Sequence, residues 1–124
     1  MKVSKNFKQK SDFYALTTNN NDDKTCSLKF SHCDENRFQL CDLSKEELKT
    51  FVSYAKKVEK LPWQEIYHHK GLNYEKLNNI NIPDYLDKNI SIYSMRADKK
   101  FRILGYRNDC YFYIVWFDNN HETC

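Results

Sequence analysis

The residues whose types and spacing suit chemistry lie in the C-terminal third of the chain. Arg96 and Arg102 stand six residues apart with Lys99 and Lys100 between them; Arg107 follows, and His121 comes just after the last apolar run. An arginine presents a rigid planar fork that matches phosphate oxygens and stays charged at any working pH. Histidine titrates near neutrality and can give or take a proton. Two arginines, a histidine and a carboxylate are sufficient parts for metal-free cleavage of RNA. A base removes the 2′-hydroxyl proton, the arginines stabilise charge building on the phosphoryl group, and the histidine protonates the leaving oxygen. The plainer alternative is a solvated sheet face carrying Arg102 and Arg107, with His121 a surface residue.

Net charge does not decide between these. A total of +3 on 124 residues is too small to imply nucleic-acid binding, but its distribution is uneven. Arg96, Lys99, Lys100, Arg102 and Arg107 face only Asp98 and Asp109 in the same window, a local positive excess. Other constellations are weaker. Cys26, His32, Cys33 and Cys41 carry metal-ligand atoms without a zinc spacing, and five cysteines with no C-x-x-C pair read as free thiols. The His68-His69 pair reads as exposed helix-end residues in preference to a ligand pair, and no glycine-rich phosphate loop, G-x-S-x-G elbow or H-E-x-x-H helix is present. The reading calls for no metal and no cofactor. The first ten residues carry lysines with no apolar run behind them, and the apolar run at residues 111–117 is too short to span a bilayer. A cytoplasmic protein is expected.

The elements that must position these residues follow from periodicity. Residues 1–24 read as a flexible basic and polar arm, in which Phe13, Tyr14 and Leu16 could dock on the domain. A strand is expected within residues 26–33, continued or paired by residues 38–40. Ser44 and Glu47 form a capping box and Leu43 and Leu48 a hydrophobic staple, which start a long helix. Its expected buried stripe is Leu48, Phe51, Val52, Ala55 and Val58. Pro62 opens a short second helix through Trp63, Ile66 and Tyr67, and Gly71 stops it. A connector over residues 71–89 leads to strands at residues 90–95, 101–107 and 111–118, the last two joined by a tight turn at Asn108-Asp109. Trp63, Trp116, Tyr111 and Tyr113 are expected in the core, the two tyrosines under the helix. Together these give one α+β domain over residues 25–124: an antiparallel sheet of four to five strands packed on one long and one short helix.

The order of helix, connector, basic strand and apolar strand with a short polar tail resembles the RelE/ParE superfamily of bacterial toxins, above all its ribosome-dependent mRNA-cleaving members. The motif residues are Glu75 in Tyr74-Glu75-Lys76-Leu77, Arg96 and Arg102 six apart, Arg102-Ile-Leu-Gly-Tyr106, and His121 after the last strand. The tail lacks a closing tyrosine, and the connector from Glu75 to Arg96 is long. The stretches Leu61-Pro-Trp-Gln-Glu-Ile66, Arg102-Ile-Leu-Gly-Tyr-Arg107 and Ile114-Val-Trp-Phe-Asp-Asn-Asn-His121 are also similar to an uncharacterised group of small bacterial and mobile-element proteins. The toxin resemblance implies a RelE-like fold, RNA or the ribosome as partner, an antitoxin as a further partner, and no membrane. It also implies Glu75 as general base, Arg96 and Arg102 as phosphate stabilisers, and His121 as general acid, with Lys99, Lys100 and Arg107 holding nucleic acid. The alternative is a non-catalytic phage or mobile-element protein that inhibits a host or defence nucleoprotein complex, in the manner of an anti-CRISPR.

Overall fold

The Ser44 signal produces the helix it encodes. Ser44 Oγ accepts from the Glu47 amide at 3.1 Å and Glu47 Oε1 accepts from the Ser44 amide at 2.8 Å, capping helix α1, Lys45–Val58. The backbone bond to Ser44, with help from the Asn119 side chain, holds the Glu47 carboxyl below its usual range. The structure, a computed structural model, describes residues 22–120. Most of the expected N-terminal arm, with Phe13, Tyr14 and Leu16, and the tail from His121 onward lie outside the described residues.

The short helix α2 runs Trp63–Ile66, with Pro62 at its N-cap, one position earlier than expected. Strands β1 (Ser27–Lys29), β2 (Glu75–Lys76), β3 (Tyr93–Arg96), β4 (Arg102–Asn108) and β5 (Tyr111–Asp118) form one sheet in the order β1-β5-β4-β3-β2. The domain is α+β, but the sheet is mixed. The ladders from β2 through β5 are antiparallel, whereas β1 runs parallel to β5. The two helices and the β2–β4 segment separate β1 from β5 in sequence, so no tight turn dictates an antiparallel pairing.

Both faces of the sheet are covered. Met95, Phe101, Ile103, Phe112, Ile114 and Phe117 pack with Phe51, Tyr54 and Val58 of α1 and Trp63 and Ile66 of α2. On the opposite face Ile92, Leu104, Val115 and Trp116 meet Leu77 and Leu86, with Phe38, Ile80, Ile82 and Ile90 around them. The connector is therefore a second cover for the sheet as well as a link. Asp34 fastens the other part of that cover. Its carboxylate accepts from Trp116 Nε1 at 2.8 Å and its amide donates to the Val115 carbonyl at 3.0 Å.

Several local expectations are corrected. Leu48 and Val52 are exposed, at 39% and 50%, and the buried side of α1 is Phe51, Tyr54 and Val58. At roughly 100° per residue, Leu48 and Val52 fall to one side of the arc that these three define. Tyr111 and Tyr113 are half-buried, and Tyr113 stacks on His32 rather than lying under the helix; Phe112 and Ile114 take the helix side. Residues 38–40 form no strand, because Phe38 adopts φ 52° and a 3-10 turn, Leu40–Asp42, follows. Phe38 still contributes one carbonyl, which accepts from the Phe117 amide at 2.8 Å. The hairpin turn is Asp109-Cys110, shifted by one residue, with Asn108 opposite Tyr111 and Asp109 at φ 62°.

Candidate functional site

Register brings the two arginines of the sequence pattern together. Arg96 of β3 lies directly opposite Arg102 of β4, Arg102 lies opposite Asp118 of β5, and Glu75 of β2 lies opposite Ser94. Because paired residues share a face and faces alternate along a strand, Glu75, Ser94, Arg96 and Arg102 occupy one side of the sheet. Asp118 is fully buried. His121, the proposed acid, follows Asp118 by three residues and lies outside the described residues.

The two arginines differ in setting. Arg102 is only 6% exposed, and its Nη1 donates to the carbonyls of Asp98 (2.8 Å) and Lys99 (3.0 Å). The Asp98 carboxylate meanwhile accepts from the amides of Lys100 (2.9 Å) and Phe101 (2.8 Å). Arg102 thus clamps the β3–β4 turn from within. Arg96 is half-buried, and its Nε is enclosed without a hydrogen-bond partner among the described residues. Lys99 and Lys100 stand exposed on the clamped turn, beside a shallow depression shared with Glu47, Phe101 and Asn119. Glu75 is exposed and accepts from Asn73 Nδ2 at 2.8 Å.

Arg107 does not join this group. Its Nε donates to the Asp109 carbonyl at 2.6 Å, and its Nη1 meets Asp22 Oδ1 at 2.7 Å and the Tyr67 hydroxyl. Its guanidinium also lies 4.6 Å from the centre of the Trp63 ring. Burial opposes its charge, but the bonds to Asp22 and Tyr67 outweigh that and raise its pKa. The side chain ties the first described residues to the sheet.

A feature not anticipated from sequence lies at the other end of β4. The β3 ladder stops at Tyr93 opposite Gly105, so residues 106–108 continue with β5 as their ladder partner. A cleft of about 730 Å³ opens there, lined by Tyr67, Tyr74, Tyr93, Tyr106, Tyr113, His32 and Arg107, with Asp87, Asn89 and Asp109 among its polar residues. Tyr74 and Tyr93 stack at 4.7 Å and 8° on one side. His32 stacks on Tyr113 at 4.5 Å, with Tyr106 5.3 Å from Tyr113, and the Tyr106 hydroxyl meets His32 Nδ1. Burial raises the pKa of the Tyr74 and Tyr113 phenols, so both stay neutral at working pH. The sequence did hold a signal: tyrosine carries an apolar body and a polar tip, which suits a wet aromatic wall better than a sealed core.

Among the described residues no three His, Cys, Asp or Glu side chains gather as metal ligands, and no helix is long and apolar enough to cross a membrane. The chain matches no protein-family model, no curated protein and no solved structure.

Proposed function

We propose that the protein is a RelE-like, cytoplasmic RNA-binding protein that takes the phosphate backbone at the Arg96 end of the sheet, with the translation machinery as its setting. The observation that carries this reading is the half-buried Arg96, whose Nε has no hydrogen-bond partner among the described residues, beside the exposed Lys99-Lys100 turn. Leaving a buried donor unsatisfied costs about 1–3 kcal/mol. A phosphate drawing the half-buried Arg96 guanidinium toward the surface would remove that cost and add a charge-assisted bond. Arg102 supports the site by holding the turn in shape. Cleavage would extend the same reading, with Glu75 as base and His121 as acid. A non-catalytic inhibitor of a nucleoprotein complex would share the phosphate contacts and need neither residue.

Fluorescence anisotropy with a labelled single-stranded RNA, repeated across salt concentrations, tests the binding. Arg96→Ala is expected to weaken binding about tenfold or more, and to reduce the slope of log K against log salt by about 0.7, the value for one phosphate contact on a single strand. Unchanged affinity and slope in Arg96→Ala refute the proposal. Glu75→Gln and His121→Ala then separate the two forms. Loss of cleavage with binding retained marks an enzyme, and wild-type binding without cleavage marks the inhibitor.

A further inference from the structure

The geometry points to the tyrosine-lined cleft beyond the end of β3 as a pocket for a nucleobase. Its volume of about 730 Å³ falls in the range of small-molecule sites, about 300–1,000 Å³. Its walls are two aromatic stacks that sit on opposite sides of the sheet and meet where β4 outruns β3: Tyr74 on Tyr93, and His32 with Tyr106 and Tyr113. Any base can stack on such rings, since every base has a π face.

Charge narrows the ligand further. Asp87 and Asp109 at the cleft disfavour a phosphate inside it. Tyrosine walls beside carboxylates would otherwise suit an ammonium or guanidinium group, but the Arg107 guanidinium, anchored by Asp22 and Tyr67, repels a second cation. A neutral planar heteroaromatic group meets neither repulsion. Asp87 and Asn89 add an edge preference. A carboxylate accepts from the exocyclic amino group of cytosine, adenine or guanine, and an asparagine amide pairs with adenine, whereas uracil offers only a ring N–H between two carbonyl acceptors. The cleft therefore favours bases with an exocyclic amino group, adenine and cytosine among them, over uracil. Tyr93 lies three residues from Arg96 on the same strand, about 10 Å at the usual strand rise. Being an odd number of residues apart, the two face opposite sides of the sheet, so one nucleotide cannot contact both. For the identity of the larger ligand, the inference rests on the RNA-binding reading above.

Phosphate-free nucleosides test the pocket without that reading. Adenosine, cytidine and uridine are titrated into the full chain while the tyrosine ring signals are followed by NMR. Adenosine and cytidine are expected to shift the rings of Tyr93, Tyr106 and Tyr113, with uridine weaker. Tyr93→Leu should weaken binding roughly 5- to 150-fold, the range for losing one stacking contact. Asp87→Asn keeps the Oδ1 that accepts from the Asn89 amide at 2.9 Å, so the turn should hold. It should bring cytidine and uridine closer in affinity. The pocket is overturned if nucleosides shift no cleft ring, if folded Tyr93→Leu binds them as well as wild type, or if an arginine-rich peptide shifts the rings where nucleosides do not. Unaltered discrimination in Asp87→Asn overturns the edge preference. An abasic ribose-phosphate oligomer is titrated in parallel. If it binds where nucleosides fail, the cleft is wrong and the RNA reading stands; the reverse overturns the RNA reading alone.

Discussion

Replacing Gly105 with alanine should damage the fold more than the loss of any single contact on the surface. The register between β4 and β5 shifts at this residue: Leu104 lies opposite Trp116 and Gly105 opposite Ile114, so Val115 is the extra residue of a bulge. A Cβ added to Gly105 would lie 2.0 Å from the Tyr113 carbonyl oxygen, 2.9 Å from its carbon and 3.1 Å from the Ile114 Cα. All three are backbone atoms of the neighbouring strand, so no rotamer relieves the clash. Reaching even 3.4 Å from the oxygen requires opening the strands locally by about 1.4 Å. Such an opening breaks roughly two ladder bonds at about 1 kcal/mol each. Overpacking adds about 1–3 kcal/mol. The expected loss is therefore roughly 3–5 kcal/mol, a large part of a typical total of about 5–15 kcal/mol. At about 4 °C per kcal/mol for a domain near this size, the melting temperature should fall by roughly 12–20 °C. Gly71, the chain's other glycine, is the control. An added Cβ there meets the end of the His69 side chain at 3.0 Å, which can swing aside at the cost of its 3.2 Å bond from the Leu72 amide, about 1 kcal/mol. Calorimetric or circular-dichroism melts of both variants decide the matter. A Gly105→Ala protein melting within about 3 °C of wild type, or a more damaging Gly71→Ala, refutes the reasoning.

Three further outcomes follow from the same structure. Arg102→Ala should cost about 2–3 kcal/mol by freeing the β3–β4 turn, the size of a charge-assisted bond lost from a buried site. A urea titration showing unchanged stability would mark Arg102 as a residue kept for ligand rather than structure. Ser44→Ala should lose about 1 kcal/mol of cap energy at any pH, whereas the reciprocal bond from the Ser44 amide to the Glu47 carboxylate should depend on pH. Because the folded Glu47 carboxyl sits below its ordinary value of 4.5, its contribution is present above that value and disappears as pH falls through the lowered one. Melts of wild type and Glu47→Ala should therefore converge in acid, and a constant gap refutes the linkage. Burial pushes the Cys26 thiol up to about 12 from 9.0, with Cys110 adding to the rise, so its contribution is complete below about 9 and fades as pH climbs toward about 12. Native alkylation at pH 8 should mark exposed Cys41 and spare Cys26 until the chain unfolds; mass spectrometry finding Cys26 labelled first would refute this.

Much of this protein was legible in its residues taken in order. The capping box at Ser44, the short helix after Pro62 and the three C-terminal strands all follow from patterns spanning fewer than about ten residues. Such patterns are set by backbone hydrogen bonds and side-chain periodicity between near neighbours. Other features depended on contacts between distant parts of the chain. The parallel docking of β1 on β5, the rotation of α1 toward Tyr54, and the cover formed by Asp34, Phe38 and residues 77–90 are of this kind. The burial of Arg102 inside a turn, and a cleft whose rings come from residues 32, 67, 74, 93, 106 and 113, belong with them. Local periodicity shows which side of a strand or helix is apolar, but not which apolar surface will meet it. That choice is made by the whole chain at once, through the burial of surfaces that only the tertiary fold brings together.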